Sequence, residues 1–233
     1  MTSTRLLASV LLLPLFSCAS APPAPEESVR PGINEKYLEP DMAIEEWVER
    51  FEVESREVFA EREAIAAAVG LEPGDRMADV GAGTGMFLDL FANHVGATGE
   101  VFAVDIAPRF LQHLRERVEA EGWSHVTVHE GTERSVQLPA NSIDVAFLCD
   151  VYHHLEYPRS SMGSIHSALS AGGEVVIVDF ERIPGVTREW ILGHVRAGKA
   201  GVIAEMDSFG FDLVEELTLD GLEENYAARF RKR

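Results

Sequence analysis

The stretch ADVGAGTGMF, Ala78 to Phe87, constrains the fold of this 233-residue chain more than any other segment. An apolar strand running into three glycines, each separated by one residue, can turn sharply and bring its backbone close to a ligand. A helix that follows such a turn offers free N–H groups and the positive end of its dipole. Strands and helices then alternate: strand 76–81, helix 84–95, strand 100–105, helix 108–121, strand 126–130, strand 143–149, helix 160–170, strand 173–180. That order predicts βαβ units and a parallel sheet covered on both faces. Phe211 to Leu219 and Asn225 to Phe230 read as two more strands, joined at Asp220-Gly221 as an antiparallel hairpin.

Upstream of the turn, Ile44, Trp47, Val48, Phe51, Val58 and Ile65 recur at helical spacing among glutamates and arginines. They predict one or two amphipathic helices over about 42–69. Leu71-Glu-Pro-Gly-Asp75 reads as a turn. Twenty Lys+Arg against 39 Asp+Glu give a net charge of -19, and such a field repels phosphate backbones. Nucleic acid is therefore not an expected partner.

The glycines alone do not name their ligand. A dinucleotide fingerprint requires G-x-G-x-x-G, and the sixth position counted from Gly81 is Met86. The spacing found here is D-x-G-x-G-x-G. Asp79, two residues before Gly81, would repel a pyrophosphate and attract an ammonium. A ligand combining ammonium, carboxylate and nucleoside fits both features, and S-adenosylmethionine is such a ligand. Asp105, ending the next strand 20 residues after Gly85, suits ribose hydroxyls, a role it would play equally for NAD.

From about residue 70 to 233 the chain resembles the class I S-adenosylmethionine-dependent methyltransferases. Asp79, Gly81, Gly83 and Gly85 match that family's first motif, with Ala82 among them, and Asp105 with Ile106 matches its second. Gly131-Thr132-Glu133 resembles the third region, where the resemblance gives the adenine contact to Thr132 or Glu133. Leu148-Cys-Asp-Val-Tyr-His-His-Leu155 resembles the fourth, especially as found in quinone-biosynthesis-type enzymes, and assigns Asp150 to the cofactor. The resemblance implies an α/β, Rossmann-like, doubly wound and mostly parallel seven-stranded sheet with a C-terminal antiparallel hairpin. It also implies S-adenosyl-L-methionine as cofactor, a small-molecule methyl acceptor and an N-terminal helical lid, to which Glu54 and Arg56 belong.

In an open α/β sheet the ligand crevice lies beyond the carboxyl ends of the strands, so the segment after 143–149 faces the transferred methyl. His153 and His154 are candidates for a base or acceptor contact, and Tyr152 for positioning the acceptor. Packing alone is the competing reading for all three. No metal is expected, because adjacent side chains rarely converge on one ion and the sequence shows no third ligand. Gly193-His-Val-Arg-Ala-Gly-Lys199 concentrates cations that would either meet an anionic acceptor or compensate helix ends. Two other readings stay open: an exported protein that binds the cofactor without turnover, and an NAD-dependent oxidoreductase. The intact Asp79, glycines and Asp105 speak against the first, and the glycine spacing against the second.

The chain opens MTSTRLLASVLLLPLFSCAS, with Arg5 its one early charge and an apolar run from Leu6 to Phe16. The run has the length of a signal-peptide core and is too short to span a bilayer. Leu15-Phe-Ser-Cys18 resembles a bacterial lipoprotein cleavage box, which implies lipidation of Cys18. An ordinary secretory signal, or a cytoplasmic protein with a misassigned start, is the alternative. The expected organisation is signal peptide 1–17, lipidated Cys and flexible tether 18–40, helical lid 41–70 and cofactor-binding domain 71–233. Localisation would then be a cell-envelope membrane, periplasmic side, with the lipid as the only membrane attachment. The Pro- and Ala-rich residues 19–34 are read as tether because they carry too little apolar area to fold.

Overall fold

The computed structural model describes residues 25–233. In chain order the elements are α1 (Glu35–Leu38), α2 (Ile44–Phe51), α3 (Glu57–Ala60), α4 (Arg62–Val69), β1 (Arg76–Val80), α5 (Leu88–Val95), β2 (Glu100–Asp105) and α6 (Pro108–Glu121). They continue as β3 (Val126–Glu130), β4 (Ile143–Cys149), α7 (Pro158–Ala168), β5 (Leu169–Phe180), α8 (Glu189–His194), α9 (Lys199–Ser208), β6 (Phe211–Leu217) and β7 (Asn225–Lys232). Seven strands form one sheet in the order β3-β2-β1-β4-β5-β7-β6. The first five pair in parallel, while β7 runs antiparallel to both β5 and β6. The expected doubly wound sheet with a terminal antiparallel hairpin is present.

Neighbouring strand residues point to opposite faces, and each face has its own core. Met77, Val145 and Val176 join α4 and α5 on one side. Ala78, Ala146 and Ile177 join α7 and α9 on the other. Strands buried on both sides must be apolar throughout, which is why β4 and β5 read as continuous hydrophobic runs. Helix α6 begins with Pro108 in its first turn and stops at Gly122, whose φ of 66° ends the helix in the left-handed conformation.

Four expectations change. The predicted helical region 42–69 is broken into α2, α3 and α4, because its apolar residues serve two separate cores. Trp47 and Phe51 pack with Met42, Ala107 and Phe110, whereas Val58 and Ile65 enter the main core, and one straight helix cannot reach both. The helix expected from 84 starts at Leu88, since residues up to Phe87 complete the glycine turn. The helix expected to 170 ends at Ala168, and β5 starts four residues earlier than predicted, at Leu169. There Gly172 and Gly173 accommodate a register shift between the Ile143–Leu169 and Val145–Glu174 pairs. Helices α8 and α9 were not anticipated.

The tether is the fourth. Residues 26–38 lie against the domain, held by hydrogen bonds and by the ring of Tyr37 against Trp47 and Phe110. The Glu26 carboxylate accepts from the Arg159 and Ser160 amides at 2.9 and 2.8 Å, at the start of α7. Glu156 accepts from the Ser28 hydroxyl at 2.7 Å and the Gly32 amide at 3.1 Å. Asn34, buried, donates to the His154 carbonyl at 3.0 Å. The signal-peptide and lipidation readings fall on residues outside those described. No helix among the described residues is long and apolar enough to cross a membrane.

Candidate functional site

The chain winds outward through β1, β2 and β3, then returns to start β4 beside β1. Strand order reverses there, which opens a crevice at the carboxyl ends of the central strands. A cavity of about 570 Å³ occupies it. Asp105, Asp79 and Asp150 line it, and Asp179 stands behind His153. Asp105 ends β2, Asp79 lies in β1 one residue from its end, Asp150 follows β4 and Asp179 lies near the end of β5. Three strand spacings separate β2 from β5, about 14 Å.

Asp105 anchors one end. Its Oδ2 accepts the Gly83 amide at 2.8 Å, and its Oδ1 accepts those of Ile106 and Ala107 at 2.7 and 2.8 Å. Burial pushes its carboxyl upward, opposed by these three N–H donors. Asp79, also buried, is raised to about 7 by burial and then by the charge of Asp105. Gly81 has φ 76°, and a Cβ there would meet Val151 Cγ2 at 2.5 Å. The glycine turn is thereby pressed against the loop that carries the histidines. Ala82, Gly83, Ile106, Thr132 and Glu133 also line the cavity. Gly85 does not. It faces Leu114, 3.0 Å from where its Cβ would stand, so its role is to let the turn pack on α6.

Asp150 has φ 53°, an uncommon conformation for a residue with a side chain. Its carboxylate is taken by Arg56 Nη2 at 2.5 Å and Asn225 Nδ2 at 2.6 Å. Asp150 lines the cavity, but its polar contacts are to the α2–α3 connection and β7. Of the two lid candidates, Arg56 thus turns inward, while Glu54 is largely exposed and lies 3.8 Å from Arg62. Glu57 adds a second tie between α3 and β7. Its carboxylate accepts the amides of Glu223, Glu224 and Asn225 at 2.8, 3.0 and 2.5 Å.

The three catalytic candidates separate. Tyr152 points into the core on the α9 face, where its hydroxyl donates to Glu205 at 2.7 Å. It is absent from the cavity wall, so the acceptor-positioning role is withdrawn. In the single turn after β4, Tyr152 takes the inward position and the next two residues face the crevice. His153 is buried, its Nδ1 2.7 Å from Asp179 Oδ1 and its amide donating to Oδ2 at 3.0 Å. Burial alone would lower its pKa, but the Asp179 carboxylate, helped by Asp150, outweighs it and raises the value. His154 is lowered to about 2 by burial and by the neighbouring charges of His153 and His194. Its Nδ1 is buried without a hydrogen-bond partner among the described residues.

His194, at the end of α8, completes a group that sequence reasoning missed. It stands beside both histidines and is lowered to about 4 by burial and by His153. The expectation of no metal rested on the lack of a third ligand, and His194 places a third imidazole there. Asp179 was missed as well, although it repeats the pattern of an acid near a strand's carboxyl end that singled out Asp79 and Asp105. The cations around His194 do not face an anionic acceptor. Arg196 pairs with Glu205 at 2.6 Å, and Lys199 with Glu216 at 2.7 Å.

Comparison with known proteins gives this geometry a context. Residues 78–175 match the methyltransferase domain family. The ubiquinone/menaquinone biosynthesis C-methyltransferase of Ectopseudomonas mendocina is 29% identical over 117 residues, 50% of this chain and 45% of that protein. The match thus spans about half the length of the curated relatives. Among solved structures, a SAM-dependent methyltransferase from Aquifex aeolicus superposes with TM-score 0.64 and 21% identity, covering 81% of this chain and 98% of its own. The [4+2]-cyclase SpnF superposes with TM-score 0.62 and 16% identity, covering 73% and 80%. A cyclase on the same scaffold means that the fold by itself does not choose a reaction. The chain has a Rossmann-like fold shared with solved methyltransferases, and its residues 78–175 match the methyltransferase domain family.

Proposed function

We propose that this protein is an S-adenosylmethionine-dependent methyltransferase acting on a small-molecule acceptor. The observation that carries the reading is one continuous cavity lined by Asp105, the glycine turn, Asp79 and the paired histidines. Its volume is that of a small-molecule site. When bound, S-adenosylmethionine supplies the methyl group and its sulfonium leaving group. The residues present fit it. Asp105 retains lone pairs for the ribose hydroxyls beyond its three amide contacts. Asp79 would meet the ammonium, and Thr132 or Glu133 would contact the adenine.

Transfer to the acceptor is an in-line displacement, and the chain's task is alignment and exclusion of water. His153 and His154 stand at the acceptor end, with Asp179 fixing the ring of His153. The segment from Asn34 to Val58 roofs the cavity, and the Arg56–Asp150 ion pair latches that roof over it as a lid. Leu15-Phe-Ser-Cys18 further supports export and lipid anchoring through Cys18.

Calorimetric titration of S-adenosylmethionine, S-adenosylhomocysteine and NAD into the full chain and into Asp105→Asn tests the reading. Micromolar binding of the first two, weakened at least tenfold in the variant, with none for NAD, is expected. A folded protein that binds neither adenosyl compound would overturn it.

A further inference from the structure

Three imidazoles converge at the acceptor end of the cavity. His153 and His154 lie on the short turn after β4, and His194 ends α8, the helix that follows β5. Their ring centroids are 4.3, 5.1 and 5.2 Å apart. One nitrogen from each lies within 4.8 Å of the other two. Tetrahedral zinc holds imidazole nitrogens about 3.3 Å apart, so closing the set requires movements of about an ångström. Such movements are available to His194, which is half-buried on a six-residue helix.

The surroundings are those of a ligand set. The contact between His153 Nδ1 and Asp179 Oδ1 fixes the ring and leaves Nε2 for coordination, the arrangement in which a carboxylate orients a metal-binding histidine. The buried Nδ1 of His154 has no partner among the described residues, and an orphaned buried nitrogen is unfavourable unless something binds it. Charge near the cluster is mixed. Lys36 and Arg30 face it, but the Lys36 ammonium rests 4.6 Å from the Tyr37 ring centre and Arg30 donates to the Gly193 carbonyl at 2.8 Å. Asp179 and Asp150 supply the opposing negative charge.

We propose that His153, His154 and His194 bind one divalent transition-metal ion of the zinc type, with Asp179 positioning His153. Imidazole donors without thiolate suit zinc, cobalt or nickel, and three protein ligands leave a further position open. That position faces the cavity. If the methyltransferase reading holds, it would take an oxygen or nitrogen donor of the acceptor.

The test is calorimetric titration of Zn²⁺ into the chelator-treated full chain, with Co²⁺ absorption as a spectroscopic probe of coordination. His194→Ala and His154→Ala are compared with His129→Ala, an imidazole on β3 outside the cluster, and circular dichroism checks that each is folded. We expect one equivalent bound at micromolar or tighter affinity, weakened at least tenfold in the first two variants and unchanged in the third. Co²⁺ should give the intense visible bands of a low-coordinate site, lost in His194→Ala. No saturable binding by the unaltered chain would overturn the proposal, as would equal affinity in a folded His194→Ala variant. A parallel titration with S-adenosylhomocysteine keeps the two readings separable, because cofactor binding can succeed while metal binding fails.

Discussion

Asp79 is a buried carboxyl on the cavity wall, so its charge state depends on what the cavity holds. Burial, then the neighbouring Asp105, raise its pKa to about 7. Asp105 has three backbone donors to settle its negative charge, and Asp79 has no comparable set. Between its ordinary value of 3.8 and about 7, the folded state holds a proton that the unfolded chain has released. The contribution of Asp79 to stability therefore falls as pH rises through that window. A ligand ammonium would reverse the preference and draw the proton off. S-adenosylmethionine affinity should accordingly rise with pH up to about 7 and then level, with about one proton released per molecule bound near pH 6. Calorimetry in two buffers of different ionisation enthalpy reads that proton directly, and Asp79→Asn should abolish the release. Identical heats in both buffers would show that Asp79 does not meet the ammonium.

Among the elements, α7 illustrates how a distant segment completes a local structure. It begins at Pro158 with no side-chain cap of its own, and Glu26 supplies the acceptor for its first free amides. Glu26→Ala should lower stability by about 1 kcal/mol, the usual cost of losing a helix cap. The urea midpoint would report it, and Glu26→Gln should recover part of the loss. A midpoint unchanged in Glu26→Ala would mean that Glu26 does not stabilise the start of α7. The same element explains a gap in sequence reading. Residues 19–34 look like a tether because local apolar content is low, and nothing in their neighbourhood announces partners 130 residues away. The broken helix at 42–69 has a related cause, since spacing reveals an apolar face but not that its two halves enter different cores.

At the scale of the molecule, a catalytic domain would be joined to an envelope anchor. Expression of the full chain in a bacterial host should yield a mature N-terminus at Cys18 carrying acyl groups, recovered with membranes. Cys18→Ser should abolish both, and an unprocessed Met1 with unmodified Cys18, shown by intact mass, would refute the anchor. The sequence by itself determined the sheet, because strand burial on both faces, helix periodicity and the Asp220-Gly221 turn are local patterns written in contiguous residues. It also determined one end of the cavity, where Asp79, Gly81, Gly83 and Asp105 belong to two neighbouring strands and the turn after the first. The opposite end, around the histidines, was decided only by tertiary structure. Asp179 and His194 reach His153 from β5 and α8, Arg56 and Asn225 reach Asp150 from opposite ends of the chain, and Tyr152 turns away into the core. Spacing along a chain predicts which side chains share a face of one element. Which elements then meet across a crevice depends on how the helices and connections pack over the strand ends, and no single segment encodes that.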